Sequence, residues 1–150
     1  MNILFVCSGN SCRSPMAATY FNHLCKQNKI EGVLAVSAGI SAEAGASAPE
    51  AAVQLMSGLG VDLSTHIARE LSAEMVESCE AVFCMEKKHL THITKEFPAV
   101  KEKARMLLSL VDSKLGVEDP FGGDDEMYQQ CFLGMLPALA ELADRLIRSR

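Results

Sequence analysis

The sequence predicts an α/β domain built around a parallel β-sheet. Three observations predict it. Apolar, strand-forming runs alternate with segments of helical periodicity along the whole chain, the pattern of a parallel sheet covered on both faces. The first run, Asn2–Cys7, is apolar almost throughout, as expected for a strand buried on both sides. The 150 residues, 49% hydrophobic and 22% charged, suit one domain over 1–150 whose core needs no metal or disulfide staple.

The elements follow in order. After the strand Asn2–Cys7, Ser8-Gly9-Asn10-Ser11 has turn chemistry. Ser14-Pro15 reads as a helix cap followed by proline at the first helical position. Met16, Ala17, Tyr20, Phe21 and Leu24 continue at helical spacing. A second strand is expected over Val33–Ala38, ended by Gly39, and a helix over Pro49–Leu59, stopped by Gly60. Between them Ser41–Pro49 is small and polar, a surface loop. Ser72 caps a short helix to about Ser78. Ala81–Met85 is a third strand, followed by a helix over Lys87–Glu96, and Arg105–Leu110 is a weaker fourth strand. The run Glu86-Lys87-Lys88 reads as a solvated helix start. Asp119-Pro120-Phe121-Gly122-Gly123 forms a loop. A long helix from about Asp125 to Arg148 has Leu133, Leu136, Leu139, Leu142, Ala143 and Leu146 on its apolar side, with Gly134 and Pro137 expected to kink it or split its start.

The net charge of −5 argues against a general nucleic-acid or anionic-membrane binder, which needs a basic face. It leaves room for one small anion pocket built from a few donors. No apolar stretch reaches membrane-span length. Met1–Val6 lacks the basic flank of a signal peptide, so a cytoplasmic location is expected. The six cysteines are too sparse for a disulfide scaffold and are expected as thiols.

The loop from Cys7 to Arg13 carries the chemistry. A cysteine ends a strand, small residues follow, and an arginine opens a helix. In open α/β sheets ligands bind beyond the carboxyl ends of strands. A helix N-terminus offers free N–H groups and partial positive charge to a phosphate. Small residues let the backbone curl around the anion, and arginine grips two oxygens at once. The same positive surroundings favour a thiolate nucleophile at Cys7. These residues also suit a tight βα turn with a buried thiol and a surface arginine.

Cys7-Ser-Gly-Asn-Ser-Cys-Arg-Ser-Pro15 resembles the phosphate loop of the low-molecular-weight protein tyrosine phosphatases. Asp119-Pro120 resembles their general-acid loop, and Ser37-Ala38-Gly39 and His66-x-x-Arg69 also match. The resemblance spans nearly the whole chain. It implies a flavodoxin-like four-stranded parallel sheet of order 2-1-3-4 and a protein phosphatase that needs no metal or other cofactor. It implies that Cys7 attacks phosphorus to form a phosphocysteine. Arg13 and the amides of Ser8, Gly9, Asn10, Ser11 and Cys12 hold the phosphoryl oxygens, and Ser14 stabilises the thiolate. Asn10 holds a strained turn with support from Ser37 and His66, and Asp119 acts as acid, then base. Cys12 is implied as a redox partner that protects Cys7 through a reversible disulfide. It also suits a small buried filler.

Two features bear on specificity. Ser11 stands where the tyrosine-directed branch carries a bulky aliphatic residue, and Phe121-Gly122 where that branch carries adjacent aromatics. Losing one aromatic wall weakens the sandwich around a phenyl ring by about 0.5–1.5 kcal/mol. Both features resemble the bacterial protein-arginine phosphatase branch, which favours phosphoarginine over phosphotyrosine as the substrate. The expected partners are phosphorylated proteins, with no nucleic acid or membrane, and the expected state is a monomer or weak homodimer. Arsenate reduction is a rival, but it needs a second shuttle cysteine after Cys84, and position 91 is Thr91. A structural zinc protein is another, because Cys7-x4-Cys12 and Cys79-x4-Cys84 fall within ligand spacings.

Overall fold

The computed structural model describes residues 1–149. Its order is β1 (Asn2–Cys7), α1 (Arg13–Gln27), β2 (Leu34–Gly39), α2 (Glu50–Gly58), α3 (Ala73–Ser78), β3 (Ala81–Cys84), α4 (Lys87–Glu96), β4 (Ala104–Met106) and α5 (Asp125–Arg148). The strands form a four-stranded sheet of order β2-β1-β3-β4, parallel at every pairing.

β1 is central because its side chains are apolar on both faces. Ile3, Phe5 and Cys7 pack with Met16, Ala17 and Phe21 of α1 and Met135, Ala138 and Leu139 of α5. Leu4 and Val6 pack on the opposite face with Val76 of α3 and Ile93 of α4. Phe5 stacks against Phe83 at 5.8 Å and lies 6.1 Å from Phe21. The register sets Cys7 beside Gly39 and Val6 beside Cys84. Three strand ends are thereby brought level at the carboxyl edge of the sheet.

The structure corrects several boundaries. The fourth strand ends at Met106, and Leu107–Val111 turns into a 3-10 helix. Leu107 and Leu110, three apart, are both buried in the one core that α1 and α5 cover, whereas a strand would send them to opposite faces. A second 3-10 turn, Pro98–Glu102, follows α4. Ser14 does not cap α1, which begins at Arg13 with Cys12 at the cap position; its hydroxyl is engaged elsewhere. α5 runs unbroken through Gly134 and Pro137. Leu133, whose carbonyl loses its helical partner to the proline, is exposed along with Pro137. Leu133 therefore leaves the predicted apolar side. The buried stripe is Tyr128, Cys131, Phe132, Met135, Ala138, Leu139, Leu142 and Ala143. Among the described residues no helix is long and apolar enough to cross a membrane.

Phe5→Ala should cost about 3–5 kcal/mol of unfolding free energy in a urea titration. A loss under about 1 kcal/mol would show that this ring does not anchor the core.

Candidate active site

β1 ends at Cys7 and α1 begins at Arg13, so residues 8–12 must turn the chain sharply at the edge of the sheet. The turn passes through the left-handed region at Asn10, φ 52°, a conformation asparagine tolerates better than most residues. Its side chain and carbonyl then become the hub of the loop. Nδ2 donates to Ser14 Oγ at 2.9 Å, and Oδ1 accepts from Arg69 N at 2.9 Å. The carbonyl accepts from His66 Nε2 at 2.7 Å. Because Ser14 Oγ accepts from Asn10, its own proton is free to point at Cys7 Sγ, 2.9 Å away. Asn10 N donates to the same sulfur at 3.3 Å. Two donors are thus aimed at one sulfur.

The brace behind the loop comes from β2 and residues 66–69. Ile40 N donates to Cys7 O at 3.0 Å and Ser41 N to Ser8 O at 2.9 Å. Gly39 is required by close approach. A Cβ there would press into Ser8 O and lie 2.8 Å from Asn10 N. Ser37 supports the loop indirectly: its carbonyl accepts from Arg69 Nε at 3.2 Å, and Arg69 N reaches Asn10. Burial, with Arg69 nearby, pushes His66 below the ordinary histidine value. As the Asn10 carbonyl can only accept, Nε2 carries the proton.

Arg13 is 1% exposed. Its Nη1 donates to Glu86 Oε2 at 2.5 Å and to Val117 O at 2.8 Å, and Nη2 lies 3.7 Å from Asp119 Oδ2. One nitrogen is thus fully occupied in holding the guanidinium. Glu86 is therefore no simple solvated helix start, since a buried guanidinium needs a partner. Three residues on, His89 is fully buried. Glu86 N donates to His89 Nδ1 at 3.0 Å, so Nε2 carries the proton and donates to Ser8 Oγ at 2.8 Å. Burial and the nearby Arg13 push His89 down to about 4.

The loop after the sheet completes the cleft. Val117 N donates to Met85 O at 2.8 Å, which ties the loop to the end of β3. Asp119, with its side chain 46% exposed, accepts from Phe121 N at 3.1 Å and from the Cys12 thiol at 3.8 Å. Burial, then Asp119 and Cys7, push the Cys12 thiol up to about 11, so it stays protonated and donates. Tyr128 is buried beneath the loop, within hydrogen-bond reach of the Gly122 backbone. The cleft encloses about 570 Å³.

Among the predicted residues, Cys7, Ser8, Gly9, Ser11, Cys12, Arg13, Asp119 and Phe121 line this cleft. Asn10 and Ser14 lie buried beneath it, and Ser37 and His66 brace it from behind. Glu86 and His89 belong to the site though no sequence motif marks them, and Arg69 is marked only by the His66-x-x-Arg69 resemblance. The first stands just past the end of β3, where the same strand-end rule applies. The two cysteine pairs of the zinc reading sit on opposite faces of the sheet, Cys7 and Cys12 in one core and Cys79 and Cys84 in the other. Burial pushes the Cys84 thiol up to about 12.

A thiol, an arginine and a carboxylate thus meet over a curl of backbone amides. A family model described as low molecular weight phosphotyrosine protein phosphatase matches residues 2–150. The chain belongs to this family of protein phosphatases. A relative from Bacillus subtilis named protein-arginine-phosphatase is 33% identical, covering 100% of this chain and 99% of its own. One from Acinetobacter johnsonii, named a low molecular weight protein-tyrosine-phosphatase, is 35% identical over 93% of this chain and 94% of its own. A solved structure of the arginine phosphatase YwlE, a mutant with a phosphorylated active-site serine, superposes with a TM-score of 0.94 at 32% identity. It covers 100% of this chain and 98% of that one. The sheet order and the loop–helix junction are therefore those of the phosphatase family fold.

Gly39→Ala should lower kcat/KM at least about tenfold while circular dichroism stays that of a folded protein. Unchanged activity would mean the loop does not depend on that close approach. His89 gives a pH prediction. Its folded value lies below the ordinary 6.5, so between roughly pH 6.5 and 4 the unfolded chain binds a proton that the folded chain refuses. Stability from this group is complete above pH 6.5 and falls as pH drops through that window, by up to about 3 kcal/mol. Urea titrations at pH 7 and pH 4.5 should show a smaller loss in His89→Gln than in the parent; equal losses would contradict it.

Proposed function

We propose that this chain is a cysteine-dependent phosphoprotein phosphatase that passes the phosphoryl group through Cys7 and prefers phosphoarginine to phosphotyrosine. The observation that carries the first part is the sulfur of Cys7, held by Ser14 Oγ and Asn10 N at the base of a cleft flanked by Arg13 and Asp119. In this reading Cys7 Sγ attacks phosphorus in line, while the loop amides and the free edge of Arg13 take the equatorial oxygens. Asp119 protonates the leaving nitrogen or oxygen. It then deprotonates the water that cleaves the phosphocysteine. The phosphorylated serine of the YwlE structure supports a covalent intermediate at this position.

Cys12 is the assigned redox partner. Peroxide oxidises Cys7 to a sulfenic acid, which condenses with the Cys12 thiol to a disulfide and water. The raised Cys12 value makes it a slow resolving thiol. The enzyme acts on phosphorylated proteins in the cytoplasm, where these thiols stay reduced, as a monomer or weak homodimer.

The substrate preference rests on the cleft walls. Phe121, 70% exposed, is the single aromatic among the lining residues, so a phenyl ring finds one stacking face and no opposing wall. Ser11 leaves space and offers a hydroxyl. Both kinds of phosphatase occur among the relatives, and the cleft chemistry favours the arginine reading. Phosphotyrosine is the second reading, supported by the remaining Phe121 face. Arsenate reduction is disfavoured by Thr91 at the second shuttle position.

The test is kcat/KM on matched phosphoarginine and phosphotyrosine peptides, with Cys7→Ala as control. The expected result is a preference for phosphoarginine above about tenfold and no turnover in the control. A preference for phosphotyrosine would defeat the substrate assignment alone, and turnover by Cys7→Ala would defeat the mechanism. Asp119→Asn should lower kcat/KM, which reports the steps up to the phosphocysteine, about 100- to 10,000-fold on phosphotyrosine, and far less on p-nitrophenyl phosphate, whose leaving group needs no proton. Equal losses of kcat/KM on both would remove Asp119 from the acid role.

A further inference from the structure

Part of the cleft lining comes from residues 41–49, and it carries a carboxylate that the mechanism does not use. Glu43 lines the same cleft as Cys7, Arg13, Asp119 and Phe121. Its place is set by a braced turn. The Glu43 carbonyl accepts from Ala46 N at 3.1 Å, Gly45 N donates to Ala68 O at 3.0 Å, and Ala68 N to Ala46 O at 2.8 Å. The segment that braces Asn10 therefore also holds Glu43. Among the described residues, ion pairs engage the carboxylates of Glu86, Asp119 and Glu141, and none engages Glu43.

The charges around the cleft are uneven. Arg13, the one cation among the lining residues, is turned to the phosphoryl site and already shared with Glu86. Glu43 and Asp119 are the acids in that lining. An unpaired carboxylate on the wall repels a phosphate monoester, whose remaining substituent is neutral. The same carboxylate attracts a substrate whose phosphorus is bonded to a cationic group. Discrimination thus arises from both signs of the interaction.

We infer that Glu43 is a specificity-determining residue whose carboxylate, on the lining of the cleft that also holds Asp119, favours a phosphorylated guanidinium over a neutral phosphoaryl ester. This rests on the phosphoarginine reading above and names the residue that enforces it. An exposed charge pair of this kind is worth about three- to fivefold in kcat/KM, expressed in KM, and it weakens with salt. A lysine or arginine beside the modified residue would present the same cationic chemistry, so the substrates must separate the two sources.

The experiment compares the parent, Glu43→Gln and Glu43→Asp on N-acetyl-phosphoarginine amide, on a phosphoarginine peptide flanked by lysines, and on p-nitrophenyl phosphate. Glu43→Gln should lower kcat/KM about three- to fivefold on the capped amino acid. The loss should lie in KM, shrink at high salt and be largely restored by Glu43→Asp. On p-nitrophenyl phosphate kcat should hold and KM should stay or fall. Equal changes on all three substrates would overturn the inference. A loss confined to the lysine-flanked peptide would overturn it too, by assigning Glu43 to the neighbouring residues. If the parent prefers phosphotyrosine peptides, the phosphoarginine reading itself fails. The ratio of phosphoarginine to aryl ester in Glu43→Gln still decides the role of Glu43: an unchanged ratio rejects it and a lowered ratio keeps it.

Discussion

The left-handed turn at Asn10 is the constraint on which the site depends. A chain leaving β1 and entering α1 within a few residues must curl so tightly that one residue takes positive φ. That residue then cannot lean on ordinary strand or helix partners. Its carbonyl, amide oxygen and amide nitrogen are satisfied instead by His66, Arg69 and Ser14. The strain of the turn, of order 1–3 kcal/mol, is offset by these bonds. The useful consequence is local. The Ser14 hydroxyl is left with its proton aimed at Cys7, and the Asn10 amide points at the same sulfur.

Burial of Arg13 imposes a second layer of order. A guanidinium removed from water must find acceptors, and Glu86 and the Val117 carbonyl supply them. These acceptors stand at the end of β3 and in the loop carrying Asp119, so one side chain ties the phosphate loop to both. His89 closes the circuit by joining Glu86 N to Ser8 Oγ. The neutral form that this circuit needs is the form that burial and Arg13 favour. Electrostatics and hydrogen bonding therefore select the same state.

Much of this was legible in the sequence, and the rest was not for identifiable reasons. Cys7 and Arg13 declare themselves by position, at a strand end and a helix start. The alternation of elements predicts the parallel sheet. The resemblance in the loop motifs carries its order, and Asp119 needs that resemblance because Asp-Pro alone is ordinary turn chemistry. Ser14-Pro15 has cap chemistry by residue type while the resemblance sets Ser14 beside Cys7, and the structure places Cys12 at the cap and Ser14 Oγ 2.9 Å from Cys7 Sγ. Leu107–Leu110 is apolar enough for a strand, yet burying both leucines needs a 3-10 turn. Glu86 and His89 act through contacts distant in sequence, for which no local pattern exists, and Arg69 is marked only by the His66-x-x-Arg69 resemblance.

The central claim is that the phosphoryl group passes through Cys7. The most direct measurement is mass spectrometry of Asp119→Ala quenched during turnover of p-nitrophenyl phosphate, whose leaving group needs no acid, with the adduct located by peptide mapping. The expected result is one phosphoryl group on Cys7, absent from the same variant carrying Cys7→Ala. Product release without any phosphoryl group on Cys7 would contradict it.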